Sequence, residues 1–184
     1  MLHKKVIAFL TLTLVIFTSA CGNTNNHIKR PHMSSMSLFD KMEEKENTCV
    51  KTAVESLKSG DKETFKKIFA DSIVAGNADF DKKVDDVFDF VEGNILSYEV
   101  EGMSPESTNG EKYVYFSDNF YCVITTDVDK YTIHFKYKMI ATYFLRKIQK
   151  SGVYLFEILS DTAAENSGKT NFFRDIEGVY VIEP

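Results

Sequence analysis

The fold class is decided by residues 131–139, YTIHFKYKM. Large apolar and aromatic residues alternate there with Thr132, His134, Lys136 and Lys138. A period of two is typical of a strand that buries one face and leaves the other in water. The stretch therefore predicts an antiparallel sheet packed on one side only, with His134 on the wet side.

Strands are also predicted on both sides of this stretch. The candidates are residues 95–100, 112–116, 119–126, 153–159 and a short final strand at 178–182. Residues 102–110 are polar and predict a loop, and residues 127–130 predict a hairpin turn. Ser117 and Asp118 separate two of the apolar runs, so we expect two strands there instead of one.

Before Gly93 the apolar spacing is three to four residues, which indicates helices. The first helix is expected to begin near Ser37, a suitable N-cap, and to end at Gly60. Asp61 is the expected cap of a second, shorter helix. A third helix is expected from about Asp79 to Gly93.

Helices followed by strands predict an α+β fold, in which N-terminal helices pack on a curved antiparallel sheet. A strongly twisted sheet curls, and helices covering its concave side can leave a cavity at one end. The side chains expected to line such a cavity are Tyr121, Tyr137, Tyr143 and Phe156.

The N-terminus has the layout of an export signal. Lys4 and Lys5 precede a twelve-residue apolar stretch, which is shorter than the ~20 residues that a membrane-spanning helix needs. The residues Thr-Ser-Ala-Cys at 18–21 resemble the bacterial lipobox, in which the cysteine receives a lipid. We therefore expect a signal peptide at 1–20, and a lipidated Cys21 that opens a flexible tether over 21–37.

Residues 38–184 are expected to form one α+β domain. The protein would be anchored by Cys21 at the extracytoplasmic face of the cell membrane, most simply in a Gram-positive envelope. Plain secretion after cleavage near Ala20 is the alternative that the same residues leave open.

Two segments carry a resemblance to known families, and it extends from about Leu38 to Ser160. Residues 57–61, LKSGD, with Phe65 and Phe69, resemble the helix, Gly-Asp, helix opening of the nuclear-transport-factor-two-like (cystatin-like) superfamily. Residues 87–99, VFDFVEGNILSYE, look like a segment of a family of short Gram-positive lipoproteins of unknown function. The resemblance implies a cone-shaped, cystatin-like domain and a surface location, but no catalytic residues.

Composition and charge exclude some partners. The chain carries a formal charge of −5, and loss of Lys4 and Lys5 with the leader brings it to about −7. An acidic domain is a poor candidate for binding nucleic acid through a basic surface, so no nucleic-acid partner is expected. Besides Cys21, the cysteines are Cys49 and Cys122, which are interpreted as two buried thiols, with a disulfide as the alternative.

No set of residues in the sequence indicates catalysis, a metal or a cofactor. Phosphate loops, nucleophile elbows and Cys-x-x-Cys pairs are absent. Asp85 and Asp89 share a helix face and could hold a divalent cation, but interleaved lysines favour a solvated helix surface. His27 and His32 fall in the tether and are interpreted as solvated.

The most direct functional expectation is a non-catalytic binding module for a protein, a peptide or a small ligand. One alternative is an extracytoplasmic enzyme of the cone fold, which would need an inward-pointing carboxylate near a tyrosine. A second alternative is an immunity or inhibitor lipoprotein, whose acidic surface would match a basic exported toxin.

Overall fold

A computed structural model describes residues 35–102, 105–142, 148–162 and 177–182, and it describes their side chains from Leu38 onward. The predicted leader, Cys21, residues 21–34 of the predicted tether, and Tyr143 lie outside these residues. The chain divides into two units after Ser35, and apart from Ser35 itself everything described below belongs to the unit that begins at Met36. Within the described ranges no helix is long and apolar enough to cross a membrane.

Four helices precede the sheet: α1 (Ser35–Ser59), α2 (Lys62–Lys66), α3 (Asp71–Gly76) and α4 (Phe80–Phe90). The predicted end of the first helix at Gly60 and the predicted cap of the second helix at Asp61 are both confirmed. Gly60 has a left-handed φ of 73°, and the Asp61 carboxylate accepts the Thr64 backbone N–H at 2.9 Å. The single-turn helix α3, which buries only Ile73, has too few apolar positions to show a period and was not predicted.

Six strands follow: β1 (Ile95–Glu101), β2 (Glu106–Asn109), β3 (Tyr113–Thr126), β4 (Lys130–Thr142), β5 (Ile148–Ser160) and β6 (Gly178–Ile182). They form one curved, open sheet in the order β1-β3-β4-β5-β6, and β2 pairs with the first half of β3. The α+β class is confirmed. The sheet is not purely antiparallel as predicted, because β6 runs parallel to β5.

Two further predictions about the strands are wrong. Residues 106–109 form β2 within the expected loop, because their exposed polar side chains still allow main-chain pairing with β3. Ser117 and Asp118 do not interrupt β3, which is continuous. Asp118 occupies an inward-facing position of the strand between Phe116 and Phe120, and it is buried as they are.

The helices pack on the inner face of the sheet through aromatic rings. Phe65 of α2 contacts Phe69, Phe88 and Phe156 edge-on at centroid distances of 5.3–5.5 Å. Phe156 in turn contacts Phe135 at 5.2 Å, edge-on. Edge-to-face contacts of buried rings add to the apolar area that each ring removes from water, so this cluster is the centre of the core.

Candidate functional site

A groove of about 570 Å³ lies beside α1, between that helix, the α2–α3 connection, Tyr137 in the middle of β4 and the start of β5. A second depression of about 530 Å³ adjoins it and shares Lys45, Ile148 and Ser151 with it. We call this pair of adjoining depressions the α1 groove. Volumes of this size are typical of small-molecule pockets.

Local structure explains why the wall of the groove that α1 forms is polar. Lys41, Lys45, Thr48 and Thr52 line the wall, and their spacing of four, seven and eleven residues puts them on one stripe of α1. The two threonine hydroxyls donate to backbone carbonyls four residues earlier, each at 2.8 Å. They are therefore held against the helix and leave the groove open.

The opposite wall depends on a close backbone approach at Gly152. The Ala70 N–H donates a hydrogen bond to the Val153 carbonyl oxygen at 3.0 Å, and the Val153 N–H donates one to the Ile68 carbonyl oxygen at 2.9 Å. A Cβ on Gly152 would lie 2.7 Å from the Ala70 nitrogen, closer than real Cβ atoms come. Glycine is therefore required for the α2–α3 connection to dock on β5 and close this side of the groove.

The floor of the groove contains Tyr137, Ser151 and the thiol of Cys49. A side-chain hydrogen bond links Tyr137 and Ser151, and burial raises the pKa of Tyr137 to about 12. Burial also raises the pKa of the Cys49 thiol. A thiol that stays protonated is a weak nucleophile, so the floor offers neutral hydrogen-bonding groups.

Behind this floor lies a buried carboxyl group, that of Glu46. Its side chain is fully buried, and neither carboxyl oxygen has a hydrogen-bond partner within the described ranges. Burial, assisted by the nearby charges of Asp118 and Glu43, raises the pKa of Glu46 to about 8. Glu46 is close enough to both Cys49 and Tyr137 to raise their pKa values. At neutral pH it is therefore mostly a neutral acid.

Asp118 is the second interior carboxyl and lies directly opposite Tyr137 in the β3–β4 register. Only 1% of its surface is exposed. When two carboxyl groups lie close together and one of them keeps its proton, that one can act as an acid and the other as a base. Glu46, Asp118 and Tyr137 therefore form an interior acidic cluster beside the groove.

A different polar cluster lies on the outer face of the sheet. His134 Nδ1 is 3.1 Å from a Glu157 carboxylate oxygen, and both side chains are buried. The Tyr121 ring stacks on the imidazole with centroids 4.9 Å apart. The prediction that His134 faces solvent is wrong, since only 2% of it is exposed. Alternation correctly assigned its face, but it cannot show whether that face is covered.

The side chains predicted to line a cavity are found in different places. Tyr137 lines the α1 groove, Tyr121 lies on the outer face, and Phe156 lies in the aromatic core. Cys49 and Cys122 are both free and buried, as the thiol interpretation expected. The disulfide alternative is not formed.

Sequence reasoning missed Glu46 and Asp118, although each leaves a signal. The apolar stripe of α1 includes Met42 and Cys49, and position 46 lies between them on the same face. Asp118 occupies an inward position in a strand that otherwise alternates regularly. A charged residue at a position where periodicity demands an apolar one marks both positions, but this signal alone does not separate a buried carboxyl group from an interruption of the element.

No group of three or more candidate metal ligands exists in the described part of the chain. The acidic face of α4 is instead paired with lysines. Asp85 lies 2.7 Å from Lys62, and Asp81 lies 2.7 Å from Lys66, with both carboxylates exposed. This is the solvated surface that the sequence favoured over a cation site.

The chain belongs to the family described as Domain of unknown function (DUF5104), whose model matches residues 52–180. The match begins inside α1 and ends in β6, so it includes Tyr137 and Ser151, whereas Glu46 lies ahead of it. No curated protein is significantly similar to the chain.

Proposed function

We propose that this member of the DUF5104 family is a binding module, and that a small ligand occupies the α1 groove. The observation that carries the proposal is the polar floor. Tyr137 and Ser151 present linked hydroxyl groups at the base of a groove of about 570 Å³. A concave site with a few convergent polar groups is the usual form of a small-molecule site.

Blocking the groove without disturbing the core tests this function. Thr48 is exposed and lines the groove, so Thr48→Trp should fill it and abolish ligand binding. Asn47→Trp is the matched control, since Asn47 is exposed on the same helix but does not line the groove. Binding is measured as a thermal shift with a panel of anionic, neutral and cationic small molecules.

Two results would refute the binding function. One is that no member of the panel raises the melting temperature of the wild-type protein. The other is that Thr48→Trp responds to the same ligands by the same amount as Asn47→Trp. Stabilisation by a ligand grows with the logarithm of its concentration once that exceeds Kd, so a real site gives a melting temperature that keeps rising as ligand is added.

The second candidate function is an acid–base enzyme, and the interior acidic cluster is the observation that favours it. Glu46 with a pKa of about 8 could donate a proton near neutral pH, and the neighbouring interior carboxyl group, Asp118, could receive one. Mass spectrometry of ligand recovered from the groove separates the two functions. A binding module returns the ligand unchanged, whereas an enzyme returns a chemically altered one.

The location of the protein is part of the same proposal. A positive n-region, a short apolar stretch and a cysteine at position 21 support export and lipid anchoring at the outer face of the cell membrane. The curved sheet with helices on its inner face supports the finer assignment of a cone-shaped, cystatin-like domain. A soluble domain tethered in this way would present the α1 groove to molecules outside the cell.

A further inference from the structure

The lysines around the α1 groove indicate what kind of ligand it takes. We propose that the ligand is a small organic anion that carries a carboxylate or phosphate group. This inference rests on the proposed binding function and names the ligand class for the same site.

Four lysines border the groove. Lys41, Lys45 and Lys67 line the first depression, and Lys150 lines the second together with Lys45. The carboxylates that line the two depressions are those of Glu44 and Asp71. The groove therefore has an excess of positive charge on a chain whose formal charge is −5.

These four lysines are available to a ligand. None of them has a carboxylate within ion-pair distance in the described part of the chain. By contrast, six lysines elsewhere are paired: Lys58, Lys62, Lys66, Lys82, Lys83 and Lys138. Unpaired lysines also occur singly on other surfaces, so the distinguishing feature is that four of them border one concavity. Convergent amines raise the local concentration of anions and exclude cations.

The floor complements this rim. Charge-assisted hydrogen bonds from ammonium groups hold a carboxylate or phosphate at the mouth of the groove. The hydroxyl groups of Tyr137 and Ser151 then hydrogen-bond the polar remainder of the ligand. Glu46 is neutral when protonated, so it adds no negative charge that would repel an anion.

The experiment uses isoleucine methyl NMR of the full chain, because Ile68 and Ile148 line the groove while Ile133 and Ile158 are fully buried in the core. The probes are succinate and inorganic phosphate, with neutral succinamide and cationic spermidine as comparisons. The test variant is Lys41→Gln/Lys45→Gln/Lys67→Gln. Its control is Lys130→Gln, which removes an exposed lysine at the start of β4.

Succinate or phosphate should shift the Ile68 and Ile148 signals saturably and leave the two core signals in place. The triple variant should bind at least tenfold more weakly, Lys130→Gln should bind within twofold of wild type, and added salt should weaken binding.

Perturbation of the groove signals by succinamide or spermidine, but by neither anion, would refute the anion inference and leave the binding function standing. If no probe perturbed them, the anion inference would fail, and the thermal-shift panel would then decide whether the binding function fails with it. Sedimentation with phosphatidylglycerol vesicles distinguishes a lipid headgroup from a free anion, and binding to vesicles alone would overturn the small-ligand proposal.

Discussion

Replacing Glu46 with glutamine should remove a pH-dependent loss of stability from the folded protein. The pKa of Glu46 rises from 4.5 to about 8 on folding, mainly through burial. Between these two values the folded protein holds a proton that the unfolded chain has lost. Stability from this group is therefore fully present below pH 4.5, declines as the pH rises, and is lost above about pH 8.

The magnitude follows from the size of the pKa shift. Each unit corresponds to about 1.4 kcal/mol, so the wild type should lose about 4 kcal/mol between pH 5 and pH 9 through this group. Glu46→Gln keeps the shape of the side chain and cannot ionise. For a domain of this size, 1 kcal/mol corresponds to roughly 2–4 °C in Tm. The variant should thus gain about 8–16 °C relative to wild type on going from pH 5 to pH 9.

The assay is thermal unfolding, which gives Tm, and urea unfolding, which gives the free energy, of wild type and variant at both pH values, each followed by circular dichroism. The quantity to compare is the difference in unfolding free energy between the two proteins, because the contributions of the other titrating groups are the same in both and cancel. Glu55→Gln is the control, since Glu55 is an exposed carboxylate on the same helix. If wild type and Glu46→Gln lose the same stability between pH 5 and pH 9, Glu46 is not a buried neutral acid and the reasoning is wrong.

Three further predictions concern the anchor, the outer cluster and the core. Cys21→Ala should release the protein from membranes into the medium in cell fractionation, and retention on the membrane would count against lipid anchoring. His134→Ala should destabilise the fold by about 1–3 kcal/mol in denaturant unfolding, because it removes a hydrogen-bond partner of the buried Glu157 side chain; a near-neutral effect would contradict the importance of this contact. Phe156→Ala should cost about 3–5 kcal/mol in the same measurement, since its ring contacts Phe65 and Phe135 at the centre of the core; a loss below 1 kcal/mol would contradict that placement.

Much of the fold could be predicted because it depends on local patterns. The Gly60-Asp61 junction follows from left-handed backbone and capping chemistry, which act over a few residues. The alternation over 131–139 correctly predicted β4 and its inner face. Prediction failed where a polar residue interrupted the apolar pattern, as at Asp118. In the sequence, a polar residue in a loop between two strands cannot be told from a polar residue buried within one continuous strand.

The candidate site could be predicted only in part. Tyr137 was among the expected cavity residues, because its inward position follows from strand alternation. Its neighbours in the groove come from α1, from the α2–α3 connection and from β5, which are distant in the chain. No spacing in the sequence could reveal that Glu46 lies behind Tyr137, since that depends on how α1 crosses the sheet.

The amino-acid sequence by itself determined the α+β class, the order of most elements and the residues that face inward, because hydrophobic periodicity and capping are local properties. Tertiary structure alone decided that β6 runs parallel to β5, that His134 is buried against Glu157, and that four lysines border one groove. The physical reason is that burial and electrostatic environment depend on which distant segments pack together. The same glutamate that would be an ordinary ionised side chain in water becomes a neutral acid when α1 places it against the sheet.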